Sequence, residues 1–223
     1  MRLVEYPDRE MMMLALANTL AGEIADFLRR DGHATLCVPG GTTPAPVFDT
    51  LSGVDLDWGR VAVVLNDERW VAEDSPRSNT RLLRSTLLKD RAAAARLVPL
   101  HDPAPEPEDR IGPLAEGLAP HLPISVLLLG MGADMHTASL FPDGDRLAEA
   151  LSPQAPPLVA MRAPSAPEPR VTLTAPVLRG ALSIHVLIAG ADKRAALHRA
   201  QTLTPAEAPI RIVLDAATVH WAE

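Results

Sequence analysis

The sequence contains very little cysteine and few aromatic residues. Cys37 is the only cysteine among 223 residues, so no disulfide can form within the chain. Phe, Trp and Tyr make up 3% of the residues, whereas hydrophobic residues make up 47%. The core must therefore be built mainly from aliphatic side chains. Cys37 lies in a predicted strand and is expected to belong to that core.

Positive charge and long apolar runs are also scarce. The chain has 21 Lys and Arg against 28 Asp and Glu, which gives a formal net charge of −7. A nucleic-acid partner bound through a broad basic surface is therefore not expected, although a local group of cations could still bind a small anion. No segment reaches the ~18 consecutive apolar residues of a membrane helix. We therefore expect a protein without membrane contact. A chain with a single cysteine and no disulfide is typical of the reducing cytoplasm, where we expect this protein to be located.

The apolar stretch MMMLALANTLAG near the N-terminus is predicted to be an amphipathic helix. Glu5, Asp8 and Glu10 precede it, whereas a signal peptide carries positive charge at that position. Apolar residues recur at helical spacing through the stretch, and Asp31-Gly32 is a typical helix end.

Further along, strand-like and helix-like patterns alternate, which predicts an α/β fold. Nearly continuous apolar runs, expected for strands covered on both faces, occupy 33–40, 60–67, 95–100, 124–130, 182–190 and 210–215. Helical patterns lie near 10–30, 44–52, 76–88, 109–120 and 191–201. The prediction is one domain over residues 1–223, with a mostly parallel, Rossmann-like sheet flanked by helices on both faces. The proline-rich segments 101–109 and 152–169 are predicted to be loops. Nothing in the sequence indicates the oligomeric state.

Two predicted strands end in segments suited to ligand binding. The first is followed by Pro39-Gly40-Gly41-Thr42-Thr43-Pro44, in which glycines free the backbone N–H groups and Thr43 could cap a helix. Such a loop at a helix start can bind phosphate, but it is also a common plain connection. The second is followed by Asn66, Asp67, Glu68 and Arg69, which alone are better explained as a solvated loop.

The stretch LLLGMGADMHTASLFP, residues 127–142, begins within the strand predicted at 124–130 and continues into the loop after it. It fits neither a dinucleotide-binding loop nor a zinc site. Met135 occupies the third glycine position of a GxGxxG dinucleotide loop, and no ribose-binding acid follows at the expected distance. Asp134 and His136 alone are too few ligands for a catalytic zinc site. A histidine near a helix start with an aspartate two residues earlier could be a general base, or only a capping residue with a hydrogen-bonded partner. The residues alone leave both possibilities open.

Two cations follow later in the chain. Arg170 begins RVTLT, and Lys193 comes just after Gly190 at the end of an apolar run. Either residue alone is unremarkable, but both could neutralise a phosphate held by the loop at Gly40. The remaining six histidines, residues 33, 101, 121, 185, 198 and 220, show no partner pattern and are expected to be structural or exposed.

Taken together, PGGTTP, NDERWV with Ser78-Asn79, LLLGMGADMHTASLFP, RVTLT and the Gly190/Lys193 pair resemble the glucosamine-6-phosphate isomerase/6-phosphogluconolactonase family, and the lactonases in particular. The resemblance covers essentially the whole chain, and its third motif is the most specific. It implies hydrolysis of 6-phospho-D-glucono-1,5-lactone to 6-phosphogluconate in the oxidative pentose phosphate pathway, with no organic cofactor and with no residues assigned as metal ligands.

The resemblance also implies roles for nine residues of this chain. His136 would be the acid/base, with Asp134 as its neighbour. The substrate and its phosphate would be bound by Gly40, Gly41, Thr42, Asp67, Arg69, Arg170 and Lys193. Met135 departs from the family pattern, because glycine is usual there, and Thr42 replaces the commoner serine but keeps the hydroxyl. If φ is positive at Met135, the backbone is strained by roughly 1 kcal/mol or more.

Two other functions compete with lactone hydrolysis. An amino-sugar-phosphate deaminase/isomerase resembles the same fold, but it relies on a glutamate several residues after the histidine. Here Leu140, Phe141 and Pro142 occupy that region. A sugar-phosphate-binding protein without catalysis is the other alternative. It would bind the ligand but would not accelerate hydrolysis.

Overall fold

A computed structural model describes all residues from 1 to 223, in the order β1(Arg2–Glu5), α1(Arg9–Asp31), β2(Ala34–Val38), α2(Ala45–Ser52), β3(Val61–Leu65), β4(Asp67–Arg69), α3(Asn79–Thr86), β5(Arg96–Val98), α4(Ile111–Leu118), β6(Val126–Gly130), α5(Leu147–Leu151), β7(Leu158–Ala163), β8(Ala166–Leu173), α6(Ala175–Arg179), β9(Ser183–Ala189), α7(Ala191–Ala200), α8(Arg211–Leu214) and β10(Thr218–Ala222). Alternation of strands and helices confirms the α/β class predicted from the sequence.

Seven strands form the larger sheet, in the order β1-β10-β9-β6-β2-β3-β5. Every neighbouring pair in this sheet is parallel. All five residues of β2 and all five of β3 are buried, which requires cover on both faces of the sheet. The mostly parallel, helix-flanked architecture is therefore confirmed.

The strand order contains a switch point that locates the ligand-binding region. From β2 the chain proceeds outward to β3 and β5, then returns to place β6 on the other side of β2, followed by β9 and β10. In open parallel sheets, ligands bind beyond the carboxyl ends of the strands where the order reverses. The loops that follow β2 and β6 meet at this position.

The smaller sheet is antiparallel, in the order β4-β8-β7. In its register, Asp67 pairs with Thr172 and Arg69 pairs with Arg170. β4 begins two residues after β3 ends, so the small sheet continues from the carboxyl edge of the large one. It forms one side of the same ligand-binding region.

The first helix, α1, ends at the residues expected from its sequence, and its start is capped by Asp8. The side chain of Asp8 accepts the N–H of Met11 at 2.7 Å, and Gly32 adopts a left-handed φ of 79° with its N–H bonded to Leu28 O. By length and composition α1 is apolar enough to cross a membrane. Its apolar face, which includes Leu16, Leu20 and Ile24, is instead buried in the core of 61 residues.

Three predicted elements were wrong. The segment from Asn66 to Arg69, whose residues alone favoured a solvated loop, contains the strand β4, and Asn66, Asp67 and Glu68 are buried. Residues 210–215 were predicted as a strand, but Arg211–Leu214 is a short helix and the last strand is Thr218–Ala222. Ile210, Val213 and Leu214 are buried at helical spacing, and so short an apolar run does not distinguish a strand from a helix. The segment 152–169, predicted to be a loop, contains β7 and the first part of β8, because the sheet tolerates prolines near strand ends and edges.

Two buried histidines lie on the adjacent strands β9 and β10. Tyr6 Oη lies 2.8 Å from Nδ1 of His220, whose Nε2 lies 3.0 Å from Nδ1 of His185. His185 Nε2 in turn lies 3.0 Å from a carboxylate oxygen of Glu23. If each group donates toward Glu23, every hydrogen bond is satisfied with both rings neutral. Burial, together with the nearby His185, lowers the pKa of His220 to about 4.

This depressed pKa predicts a specific acid sensitivity. Between its ordinary value near 6.5 and about 4, the unfolded chain protonates His220 while the folded protein does not. The free energy of unfolding should therefore fall as the pH drops through this window, by up to about 3 kcal/mol from this residue. We expect His220→Gln, which does not titrate, to show a smaller loss of Tm than the wild type between about pH 7 and about pH 5.

The exposed His198 provides the matched control. His198→Gln should retain the full pH dependence of Tm, because it leaves the buried pair of His185 and His220 intact. An undiminished loss of Tm in His220→Gln would rule out His220 as a source of the acid sensitivity.

Candidate active site

One cavity of about 1060 Å³ opens at the carboxyl edge of the larger sheet. Its lining includes eight of the nine residues that the sequence analysis singled out: Gly40, Gly41, Thr42, Asp67, Arg69, His136, Arg170 and Lys193. The ninth, Asp134, contacts His136 directly. The strand ends thus bring together residues that are far apart in the chain.

The His136 ring is oriented by Asp134. Nδ1 of His136 lies 2.6 Å from Oδ1 of Asp134, and the same oxygen accepts the backbone N–H of His136 at 3.2 Å. This contact lowers the pKa of Asp134, mainly through the hydrogen bond with the ring, so Asp134 remains a carboxylate. The proton is therefore assigned to Nδ1, and Nε2 has no hydrogen-bond partner within the protein. A histidine held in this way can act as a general base through Nε2.

Gly132 allows the ring to occupy this position. A Cβ built on Gly132 would overlap Nδ1 and Cε1 of His136 and Oδ1 of Asp134. The backbone of Gly132 does not have a positive φ, so its conformation is open to other residues. Glycine is required here by the close approach of the two side chains, which no side chain at position 132 could permit.

Met135 adopts the left-handed conformation that the sequence analysis considered, with φ of 67°. Its N–H donates to Gly132 O at 3.0 Å, and its carbonyl accepts the N–H of Ile210 at 3.1 Å. Its side chain is partly buried against the core. The hydrogen bonds and this packing offset the strain of placing a side chain where φ is positive.

The loop after β2 presents free backbone donors. Gly41 has φ of 83°, and the exposed N–H groups of Gly41, Thr42 and Thr43 bond to no acceptor in the protein. They come just before α2, where the helix dipole also favours an anion. The expectation that Thr43 caps this helix was wrong. Pro44 occupies the capping position with helical φ and ψ, and no side chain caps the helix.

Asp67 and Glu68 have different surroundings despite being neighbours. Asp67 accepts the hydroxyl of Ser139 at 2.6 Å and lies 3.4 Å from the side-chain amide of Asn79. Glu68 is fully buried and accepts the backbone N–H groups of Asn79 at 2.8 Å and Thr80 at 2.7 Å, at the start of α3. Glu68 fixes the helix start, while Asp67 remains at the cavity wall.

Asn79 also explains the need for glycine at position 40. A Cβ on Gly40 would overlap the side-chain amide of Asn79. That amide donates to the carbonyl of Asp67 at 3.0 Å, so it cannot move away without losing this bond. The loop after β2 is therefore in contact with the wall formed by β4 and α3.

The cationic residues lie at two places in the cavity. Arg170 faces Asp67 at 3.6 Å and Glu168 at 3.7 Å, and burial lowers its pKa although Asp67 opposes the shift. Its cross-strand neighbour Arg69 donates to the carbonyl of Arg77, but its buried Nε has no partner. The long contacts of Arg170 leave its N–H groups able to bind an anion.

Lys193, in the first turn of α7, forms the second cationic position. Its Nζ donates to the carbonyl of Met131 at 2.8 Å, next to the loop that carries Asp134 and His136. Burial lowers the pKa of Lys193, and the charge of Asp134 opposes this shift. The ammonium group therefore lies beside the loop that carries the proposed base.

Four residues that shape the site occur in the quoted motifs but were assigned no role from the sequence: Asn79, Gly132, Ser139 and Phe141. Only their presence in these motifs could have indicated them. In the sequence, Ser139 and Phe141 are indistinguishable from other residues of a short turn. Their partners in the structure lie on β4 and β8.

Known proteins are similar to this chain over nearly its whole length. The profile of the glucosamine-6-phosphate isomerases/6-phosphogluconolactonase family matches residues 7–221. A 6-phosphogluconolactonase from Mesorhizobium japonicum is 43% identical, with 97% of this chain and 93% of the relative covered.

Solved structures agree with the sequence comparison. A 6-phosphogluconolactonase from Shewanella baltica superimposes with a TM-score of 0.96 at 32% identity, covering 100% of this chain and 97% of the other. A monomeric glucosamine-6-phosphate deaminase shares the fold with a TM-score of 0.81 at 16% identity, covering 100% and 98%.

The left-handed backbone at position 135 generates a stability prediction. Met135→Gly removes the steric cost of positive φ but adds chain entropy and loses packing, so its free energy of unfolding should stay within about 1 kcal/mol of the wild type. Met135→Val places a β-branched side chain at positive φ and should cost about 1 to 3 kcal/mol. Urea unfolding of the purified variants measures both values.

Met131→Val is the control for lost side-chain volume, because Met131 is more buried and its φ is not positive. The cost of Met135→Val should exceed that of Met131→Val. The reverse order would show that backbone strain at position 135 is not a significant term.

Proposed function

The chain belongs to the glucosamine-6-phosphate isomerase/6-phosphogluconolactonase family, and from this we propose that it hydrolyses 6-phospho-D-glucono-1,5-lactone to 6-phospho-D-gluconate. The observation that carries the proposal is the His136–Asp134 pair, whose free Nε2 lies in the same cavity as the exposed N–H groups of the loop after β2. A base and an anion-binding loop in one cavity suit a phosphorylated lactone.

A lactone is an ester with a carbonyl open to attack, so one activated water is sufficient. In the proposed first step, Nε2 of His136 takes a proton from water as its oxygen adds to C1. Asp134 stabilises the imidazolium that forms, through the bond at Nδ1. The negative charge of the C1 alkoxide would be met by loop N–H groups or by a cation of the cavity.

In the second step the tetrahedral intermediate collapses. The bond between C1 and the ring oxygen breaks, and His136 returns its proton to that oxygen. The products are the C1 carboxylic acid, which ionises in water, and a free hydroxyl group. No covalent enzyme intermediate is needed in this scheme.

We propose that the phosphate is bound far from C1 by the segment Gly40, Gly41 and Thr42, with Arg170 and Lys193 as cations. Asp67 and Arg69 would form the wall that contacts the sugar. Binding energy from the phosphate would hold C1 in register with Nε2 of His136. The whole chain, residues 1–223, would act as one domain in the cytoplasm, where a buried, unpaired Cys37 is expected to stay reduced.

The proposed function is tested with two substrates. Purified protein should release acid from 6-phosphoglucono-1,5-lactone well above the spontaneous rate. It should release no ammonia from glucosamine 6-phosphate. Ammonia release at a substantial turnover would instead favour the deaminase, and binding of 6-phosphogluconate without accelerated hydrolysis would favour a non-catalytic binding protein.

Replacing the base predicts a large loss of turnover. His136→Ala should lower kcat by about 100-fold or more while the variant still binds 6-phosphogluconate, because the phosphate contacts remain. His198→Ala, which alters an exposed histidine outside the cavity, is the control and should keep wild-type kcat. An unchanged kcat in His136→Ala would remove this residue from the mechanism.

Gly132→Ala tests the close approach that holds the base. Its methyl group should displace the His136 ring or Asp134 and lower kcat by about 10- to 100-fold. Since φ at position 132 is not positive, we expect little additional cost from backbone conformation. Gly22→Ala, in α1 with no atom near the added Cβ, should keep wild-type kcat and increase stability slightly. Wild-type kcat in Gly132→Ala would show that the ring tolerates displacement.

A further inference from the structure

The side chain of Phe141 lies near both His136 and Arg170. Its ring centroid is 4.8 Å from that of His136, with the planes inclined by 45°. The guanidinium carbon of Arg170 lies 5.9 Å from the same centroid. Only 6% of Phe141 is exposed, and it lines the cavity. The Phe141 ring therefore lies against both the proposed base and a residue that is proposed to bind the phosphate.

The other contacts of His136 leave its ring incompletely fixed. Asp134 holds a single atom, Nδ1, and Gly132 has no side chain that could pack against that edge of the ring. Nε2 has no partner in the protein, so the single bond between Nδ1 and Asp134 is the only hydrogen bond of the ring that resists a rotation about the side-chain bonds. The Phe141 ring is the neighbouring surface that opposes such a rotation.

Arg170 is also held loosely by polar contacts. Its distances to the carboxylates of Asp67 and Glu168 are 3.6 and 3.7 Å, and its Nε lies 3.4 Å from Glu168 O. None of these is a short, well-directed bond. Packing over the Phe141 ring adds a contact that a guanidinium favours, because the face of an aromatic ring attracts cations.

The backbone that carries Phe141 is anchored independently of its ring. Ser139 donates its hydroxyl to Asp67 at 2.6 Å and its N–H to Thr172 Oγ1 at 3.1 Å. The carbonyl of Phe141 accepts the N–H of Gly144 at 2.9 Å. A substitution at position 141 can thus remove the ring without removing the bonds that form the turn.

We propose that Phe141 is a positioning residue, which holds the His136 imidazole and the Arg170 guanidinium in fixed relation so that Nε2 points at C1 of a bound sugar phosphate. The inference rests on the proposed lactone hydrolysis. Phe141 touches neither the reacting atoms nor the proton that moves. Its effect passes through His136, so loss of the ring should reduce turnover more than binding.

The test compares Phe141→Leu and Phe141→Tyr with the wild type. Leucine retains an apolar side chain and should lower kcat by about 10- to 100-fold, while KM changes by less than about threefold. Tyrosine retains the ring and should restore kcat to within about threefold of the wild type. Equal defects in both variants, or wild-type kcat in Phe141→Leu, would overturn the proposal.

Phe27→Leu separates positioning from packing. Phe27 is 8% exposed, and the guanidinium carbon of Arg30 lies 4.6 Å from its ring centroid, but Phe27 is outside the cavity. This variant should lose stability to a similar extent as Phe141→Leu while keeping wild-type kcat. A comparable loss of kcat in Phe27→Leu would reduce the effect at Phe141 to general destabilisation.

A spectroscopic measurement is independent of turnover. In the wild type and in Phe141→Tyr, inorganic phosphate should shift the imidazole NMR signal of His136. The reason is that His136 and Arg170, which is proposed to bind the phosphate, lie against the same aromatic ring. In Phe141→Leu the shift should be lost, and its persistence would contradict the proposal. Should the wild type fail to hydrolyse the lactone, the proposed function would fall, and this measurement would decide the role of Phe141 by itself.

Discussion

The candidate site depends on the common direction of the strands in the larger sheet. Because all seven strands are parallel, every strand ends at the same edge, and the loops after β2, β3, β6 and β9 meet there. The reversal of strand order between β2 and β6 separates two of these loops and leaves room for a ligand. The strand ends therefore place backbone donors, a histidine and cations at one cavity.

Within this frame, close packing positions the chemical groups. Gly132 and Gly40 each lack a side chain where another residue approaches, His136 with Asp134 in the first case and Asn79 in the second. Neither glycine is explained by a positive φ. At Met135 the situation is reversed, because φ is positive and a side chain is present. The loop after β6 therefore contains backbone strain at Met135 and avoids a steric overlap at Gly132. Both features determine the conformation of this loop.

The sequence predicted the architecture and the strand ends because both depend on local patterns. Buried parallel strands appear as apolar runs, and the unusual residues follow them directly, as at Gly40, Asp67 and Asp134. The short helix at Arg211–Leu214 was missed because its few apolar residues suit either structure. The roles of Ser139 and Phe141 could not be predicted, since their partners Asp67 and Arg170 come from the small sheet, whose pairing has no local signature.

The most direct test of the account is a crystal structure of the protein with 6-phosphogluconate bound. We expect the phosphate to accept hydrogen bonds from backbone N–H groups of the segment Gly40, Gly41 and Thr42, with the C1 carboxylate within hydrogen-bonding distance of Nε2 of His136. A ligand bound in the reverse direction, with its phosphate at His136, would contradict the assignment of the base. A ligand bound outside this cavity would contradict the site as a whole.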